Sequence, residues 1–89
     1  MKIVINRKFG GFSVSKEIAK ELGFVDEWTM NRTDERLIEA VIKDPERASG
    51  EFAKLEVVNI PDGATDWEIT EYDGMESVIY VMNGKLYHI

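Results

Sequence analysis

Residues 2–6 read Lys2-Ile3-Val4-Ile5-Asn6, and the fold assignment starts from this stretch. Three consecutive β-branched side chains favour a strand, because branching at Cβ suits an extended backbone. Successive side chains of a strand point to opposite faces, so apolar residues at consecutive positions predict a strand that is covered on both faces. The first strand is therefore predicted to lie inside the domain.

Two helices are predicted after this strand. A loop centred on Gly10-Gly11 precedes Ser13 and Ser15, either of which can cap a helix near residues 16–22. The second helix is predicted to begin at Thr33, whose hydroxyl would cap it. Its apolar stripe consists of Leu37, Ile38, Val41 and Ile42. Proline disfavours helical geometry in the residue before it, so Asp44-Pro45 weakens the helix there.

The C-terminal half is predicted to be β-structure. Four candidate strands cover residues 55–60, 67–72, 77–82 and 85–89. Asn83-Gly84 predicts a type I′ hairpin turn between the last two. In the 67–72 strand, Trp67 and Ile69 lie on one face, and Glu68 and Thr70 lie on the other.

These elements predict one α+β domain that spans residues 1–89. It would contain a mixed or antiparallel sheet of four to five strands, with two helices on one face. Residues 24–30 are interpreted in two ways, as a short strand or as an ordered loop with Trp28 packed inward.

Composition restricts the setting and the chemistry. Cysteine is absent, so disulfides and thiol chemistry are excluded and a reducing cytoplasm is the expected location. The apolar run at the N-terminus is too short for a signal peptide, and no segment approaches the roughly 20 apolar residues of a membrane span. We therefore expect no membrane partner.

Charge is distributed unequally along the chain. Residues 1–45 hold eight acids and eight bases, whereas residues 46–89 hold nine acids and three bases, which accounts for the net charge of −6. Binding to nucleic acid phosphates needs clustered lysine and arginine, so this balance argues against direct nucleic-acid binding. A partner with a basic surface is electrostatically suitable.

The acidic residues are densest where two large aromatic residues also lie. Between Leu55 and Gly84 the chain has seven carboxylates and neither lysine nor arginine. Unbalanced charge of one sign costs self-repulsion, so this stretch is a candidate binding surface. The predicted partner-binding residues are Glu68, Glu71, Tyr72, Asp73 and Glu76.

Two further residues near this stretch have expected structural roles. Trp67 is predicted to pack in the core, because large aromatic residues contribute most of their energy when they are buried. Arg32 opens the second helix and is predicted to reach back to the acidic strand and neutralise part of it.

A second candidate site is the turn that follows the first strand. Arg7 and Lys8 flank Gly10 and Gly11, and together they are suited to binding an anion such as a phosphate. The glycines do not match a dinucleotide fingerprint or a Walker loop, so a tight strand-to-helix turn is the favoured interpretation.

Catalytic and metal signatures are absent from the sequence. The acids do not have EF-hand spacing, and the single histidine, His88, lies outside any nucleophile-elbow context. We therefore expect no cofactor, no bound metal and no enzymatic activity.

Several separated motifs resemble a family of small, uncharacterised proteins of bacteriophages and prophages. The motifs are Lys2-Ile3-Val4-Ile5-Asn6, Gly10-Gly11-Phe12, Arg32-Thr33-Asp34, Ala48-Ser49-Gly50, the stretch 55–61, Trp67-Glu68-Ile69, Glu71-Tyr72-Asp73-Gly74 and Glu76. The resemblance covers most of the chain up to about residue 78. It supplies no catalytic residue.

The resemblance implies a phage-type protein, and small acidic proteins of this origin often act on host proteins. The leading hypothesis is a non-enzymatic module that binds a basic patch on a host or phage protein, with an anti-defence or host-modulating role. One alternative is a nucleotide or small-molecule binder that uses the Arg7, Lys8, Gly10 and Gly11 turn. Another is a homo-oligomer that associates through an edge strand at residues 85–89.

Overall fold

The computed structural model describes residues 1–24 and 31–89, so the interpretation of residues 25–30, including Trp28, lies outside the described residues. The described chain contains three helices and five strands. They are β1 (Lys2–Asn6), α1 (Lys16–Leu22), α2 (Glu35–Lys43), α3 (Pro45–Ala48), β2 (Leu55–Asn59), β3 (Asp66–Tyr72), β4 (Met75–Met82) and β5 (Lys85–His88). The predicted α+β class is confirmed.

The strands form two antiparallel sheets, one of β1 and β2 and one with the order β3-β4-β5. The two-stranded sheet is the middle layer of the molecule. Val4 packs on one of its faces within a cluster that includes residues of all three helices. Ile3 and Ile5 pack on the other face, against Val78 of β4 and against Trp67.

The prediction that β1 is covered on both faces is confirmed, because Ile3, Val4 and Ile5 have no exposed surface. The prediction of one sheet of four to five strands is wrong, since the strands divide into two sheets. The physical reason is visible at β1. Arg32 forms hydrogen bonds with both main-chain groups of Val4. The Arg32 carbonyl accepts the Val4 N–H at 2.9 Å, and the Arg32 guanidinium donates to the Val4 carbonyl at 3.2 Å. These groups are therefore not free to pair with a further strand.

The helices begin at residues that satisfy free N–H groups. Ser15 caps α1 by accepting the Ile18 N–H. Asp34, not Thr33, caps α2, and its carboxylate accepts the N–H groups of Arg36 and Leu37. A hydrogen bond from the Arg36 side chain lowers the pKa of Asp34 below its ordinary value. The chain therefore uses the stronger acceptor of the two adjacent candidates.

Two details of the helical region differ from the sequence predictions. Ile42 is exposed rather than buried, because α2 turns Leu37, Ile38 and Val41, and partly Ala40, towards the core. Asp44-Pro45 does more than weaken α2: Asp44 caps a further one-turn helix, α3, in which Pro45 occupies the first turn. Proline suits that position, since its missing N–H would have no partner there.

Both hairpins of the three-stranded sheet have two-residue turns. Asn83 and Gly84 have φ values of 53° and 74°, and Asp73 and Gly74 have φ values of 49° and 88°. Positive φ at both central residues is the requirement of a type I′ turn. The Asn83-Gly84 prediction is therefore confirmed. None of the described helices has the length and apolar character needed to cross a membrane.

Candidate functional site

A buried ion pair joins the three-stranded sheet to the loop before α2. Arg32 donates to both carboxylate oxygens of Glu76, at 2.7 and 2.8 Å. The Arg32 guanidinium also lies 3.5 Å from the centre of the Phe12 ring. These two parallel hydrogen bonds fix the orientation of the guanidinium relative to the carboxylate. The internal pairing predicted for Arg32 is thus present.

Glu76 was predicted to contribute to an exposed partner-binding surface, and the structure corrects this. It is only 6% exposed, and besides its two bonds to Arg32 it accepts the backbone N–H of Asn6 at 2.8 Å. A buried carboxylate is tolerated when its charge is paired and its lone pairs are used. Glu76 therefore stabilises the interior and is removed from the candidate surface.

Asn6 connects the same region to the loops on either side. Its side-chain amide donates to the carbonyls of Lys8 and Gly74, at 2.6 and 2.7 Å. Its side-chain oxygen accepts the N–H groups of Lys8 and Lys54. The residue is completely buried, and these bonds satisfy it, which fixes the end of β1 against the β3–β4 turn.

The β3–β4 turn packs against the Gly10-Gly11 loop. The Gly10 N–H donates to the Asp73 carbonyl at 3.1 Å. The backbones approach so closely that a Cβ atom on Gly74 would lie 2.1 Å from the Gly11 nitrogen. The two glycines thus serve backbone-to-backbone packing, which agrees with the structural interpretation of this turn.

Exposed aromatic residues and carboxylates lie together at this contact. Tyr72 is 71% exposed and Phe9 is 55% exposed, and their rings meet edge to face with centroids 6.3 Å apart. Glu71 and Asp73 flank Tyr72 in the chain and are also exposed. We call these four residues, Phe9, Glu71, Tyr72 and Asp73, the tip surface.

The acids of β3 and its turn have no cation partner among the residues that the structure describes. In the ranges 1–24 and 31–89, Glu56 pairs with Arg7 and Glu76 with Arg32, and Asp62 lies 3.5 Å from the N-terminal amine. No such pair forms at Asp66, Glu68, Glu71 or Asp73. Glu71 instead accepts the Gly74 N–H at 2.6 Å. Negative charge is therefore left uncompensated along β3 and at the tip surface.

The register of the hairpin shows which side chains share the open face of the sheet. Directly opposite residues project to the same face, and Glu68 lies opposite Ile79 while Tyr72 lies opposite Met75. Trp67 and Ile69 project to the other face and pack on the core, as predicted. Glu68 and Tyr72 thus share one face, whereas Glu71 projects to the opposite one.

On and beside the three-stranded sheet, sequence reasoning missed two exposed apolar residues. Phe9 was treated as part of a loop, yet it contacts Tyr72. Leu86 is exposed on β5, beside Val81 on the open face of the sheet. Phe9 and Phe12 flank the two glycines, yet only Phe12 is buried, so the local sequence carries no signal that distinguishes the exposed aromatic residue from the buried one.

Arg7, one of the predicted anion-binding residues, is occupied by internal contacts. Arg7 pairs with Glu56 at 2.6 Å and donates to the carbonyls of Glu76 and Ile89. A depression of about 600 Å³ next to the loop is lined by Gly10 and Lys16, among others, but not by Arg7 or Lys8. Arg7 therefore serves internal contacts, and the geometry does not favour the phosphate-binding alternative.

No cluster of three or more potential metal-binding side chains occurs among the residues that the structure describes. His88 is an exposed residue of β5 and lies opposite Ile79. Comparison of the chain with models of protein families, with curated proteins and with solved structures gave no match.

Proposed function

We propose that this chain is a non-enzymatic binding protein that uses the tip surface and Glu68 to bind a basic patch on another protein. One observation carries the proposal. Tyr72 and Phe9 are displayed to solvent as a packed pair, while the neighbouring acids have no cation partner in the described part of the chain. Exposed aromatic residues often supply the main binding energy of protein interfaces.

The acids give this surface its selectivity. Charge on the rim of an interface accelerates association with an oppositely charged partner and disfavours partners of like charge. In the C-terminal half, Glu56 and Glu76 are paired with arginines of the same chain. Glu68, Glu71 and Asp73 remain available for lysine and arginine side chains of the partner.

The resemblance to phage proteins suggests where such a partner would be found. In that setting the partner is a host or phage protein, and binding would modulate a host activity or a defence system. This part of the proposal rests on likeness of source and not on the geometry of the site.

Capture from host-cell lysate tests the proposal. The site variant combines Glu68→Gln, Glu71→Gln and Asp73→Asn. Glutamine at position 71 can still accept the Gly74 N–H, and asparagine tolerates the positive φ of position 73. The matched control combines Glu35→Gln, Glu39→Gln and Glu46→Gln, three exposed helical acids that form no ion pair among the described residues.

We expect wild type and the control variant to retain the same specific protein, and the site variant to lose it. Tyr72→Ala should weaken binding of the purified partner at least about fivefold, corresponding to a hot-spot loss of about 1 kcal/mol. Raising the salt concentration should elute the captured protein, because exposed charges are screened. Equal retention of all specific proteins by the site and control variants would disprove the proposal.

A further inference from the structure

The outer edge of β3 offers main-chain hydrogen-bonding groups that none of the other described strands uses. β3 is an edge strand of the three-stranded sheet and pairs only with β4. Across the described residues, none of the main-chain hydrogen bonds outside the sheet ladders involves a residue of β3. At seven residues it is longer than β5, the opposite edge, which has four.

The hairpin register identifies the open groups. Tyr72 and Met75 close a two-residue turn, and in such a hairpin the closing pair is hydrogen-bonded. Hydrogen-bonded and non-hydrogen-bonded pairs alternate along an antiparallel ladder. Thr70 and Glu68 therefore bond to β4, whereas the N–H and C=O groups of Ile69 and Glu71 face away from it.

One end of the edge is closed by the chain itself. Asp66 accepts the N–H of Trp67 through its own carboxylate, at 2.9 Å. Natural sheets protect their edges with charged side chains in this way. The open part of the edge thus runs from Glu68 to Tyr72, and it ends beside the exposed ring of Phe9.

The side chains along this edge favour one kind of added strand. A second copy of β3 would add three more carboxylates to an edge that already carries Asp66, Glu68 and Glu71, and like charges on adjacent strands are destabilising. Positions beside Glu68 on the open face suit lysine or arginine. Positions beside Ile69, on the face that packs on the core, suit apolar residues.

We infer that β3 binds an extended segment of the partner as a fourth, antiparallel strand, in which basic residues alternate with apolar ones. This inference rests on the proposed function and specifies how the partner is held. Main-chain bonds to Ile69 and Glu71 give the segment its register, as in other complexes formed by strand addition. Contacts with Glu68 then select the basic residues.

Synthetic peptides provide the test. The probe is a capped peptide of sequence Lys-Val-Lys-Val-Lys-Val-Lys. In antiparallel pairing its valines lie opposite Ile69 and Glu71, so the valine N–H groups bond to β3 and the lysine N–H groups point away. One derivative is therefore N-methylated at the valines, and its matched control is N-methylated at the lysines. A third peptide, Lys-Lys-Val-Val-Val-Lys-Lys, has the same composition without alternation.

We expect the probe and the lysine-methylated peptide to bind with similar affinity, and the other two peptides to bind at least about tenfold more weakly. In wild-type protein, the amides of Ile69 and Glu71 should exchange rapidly with solvent and become protected when the probe is added. Hydrogen exchange measured by NMR reports both amides directly. The variant Glu68→Lys should weaken probe binding, and Glu39→Lys on α2 should not.

Three results would overturn strand addition. The first is that all four peptides bind wild type equally well and that this binding is lost in the Glu68→Gln, Glu71→Gln, Asp73→Asn variant. That result would mean that the surface binds basic peptides by charge alone, so the proposed function would still hold. The second is protection of Ile69 and Glu71 in the protein alone, which would indicate pairing with a second copy. The third is no binding of the probe at millimolar concentration, in which case lysate capture still decides the proposed function separately.

Discussion

Three glutamates of the β3–β4 hairpin look alike in the sequence but have different roles. Glu68 is exposed on β3, Glu71 accepts a turn N–H, and Glu76 is buried against Arg32. Cross-strand pairing places Glu76 directly opposite Glu71, an arrangement that costs free energy unless one charge is neutralised. Arg32 provides that neutralisation from a loop that is distant in sequence.

We predict that Glu76→Ala lowers the free energy of unfolding by about 3–5 kcal/mol, because it leaves the Arg32 charge without a partner. Glu76→Gln, which keeps an acceptor for the Asn6 N–H, should cost less. Glu68→Ala, the exposed control on the same hairpin, should change stability by no more than about 0.5 kcal/mol. Urea unfolding at neutral pH measures all three, and equal stabilities of Glu76→Ala and Glu68→Ala would refute this role for Glu76.

The sequence indicates Arg32 as an internal partner of the acidic strand, but it does not identify which acid is paired. Five acids from Asp66 to Glu76 alternate with apolar and turn residues, and strand periodicity alone leaves each of them half-exposed. What separates Glu76 from the others is its buried position on β4, the central strand of the three-stranded sheet. Partner choice within an acidic run depends on tertiary packing, which local pattern does not encode.

At the scale of elements, the two type I′ turns have the same local geometry and different surroundings. A Cβ atom on Gly84 would meet no atom within 4 Å, whereas one on Gly74 would meet the backbone of Gly10 and Gly11. Both glycines have positive φ, so alanine is strained in either turn. Gly74 has the additional function of letting the hairpin contact the loop after β1.

Gly84→Ala should therefore lower the free energy of unfolding by about 1–2 kcal/mol, the cost of a left-handed alanine. Gly74→Ala should cost clearly more, since the Gly10-Gly11 loop must also move. Thermal unfolding followed by circular dichroism compares the two variants under identical conditions. Equal melting temperatures would show that the turn does not rest on the loop as described.

Local signals explain which elements the sequence predicts. The β-branched run in β1, the serine cap of α1 and the Asn83-Gly84 turn each act over a few residues, and the predicted elements are present. The division into two sheets has no such local signal: the edge of β1 that a third strand would need is occupied by Arg32, through a contact between residues 28 positions apart. The same limit applies to the candidate site, where Tyr72 is predicted and its contact with Phe9 is not.

For the molecule as a whole, the relevant quantity is the charge that the fold leaves uncompensated. Arginines pair with Glu56 and Glu76, and Arg47 pairs with Glu17 and Glu21 across the helices. The acids of β3 and the tip surface receive no such partner within residues 1–24 and 31–89. Self-repulsion among them is a cost to the folded state that grows as the salt concentration falls.

The variant with Glu68→Gln, Glu71→Gln and Asp73→Asn removes three negative charges and changes the net charge from −6 to −3. We expect it to be more stable than wild type by roughly 0.3–1 kcal/mol at low ionic strength, the scale of a few like-charge contacts. In 1 M NaCl, where the Debye length is about 3 Å, the difference should disappear. Urea unfolding at the two salt concentrations measures it.

The helical control, Glu35→Gln, Glu39→Gln and Glu46→Gln, should show no gain at low salt. Glu35 and Glu46 lie in the first turns of their helices, where negative charge is favourable. A site variant that is less stable than wild type at low salt would show that the tip acids contribute to folding. That result would count against the proposal that these acids are free to bind a partner.

The hydrogen bond between the Asn6 N–H and the Glu76 carboxylate spans 70 positions. This separation determines when β1 gains its native contacts during synthesis on the ribosome. Synthesis delivers β1 first and the residues that cover it last. Pairings between distant residues also form slowly, because a long loop must close before any contact is gained. β1 precedes β3 and β4 in the chain, so it acquires its native surroundings only when the β3–β4 hairpin has been translated.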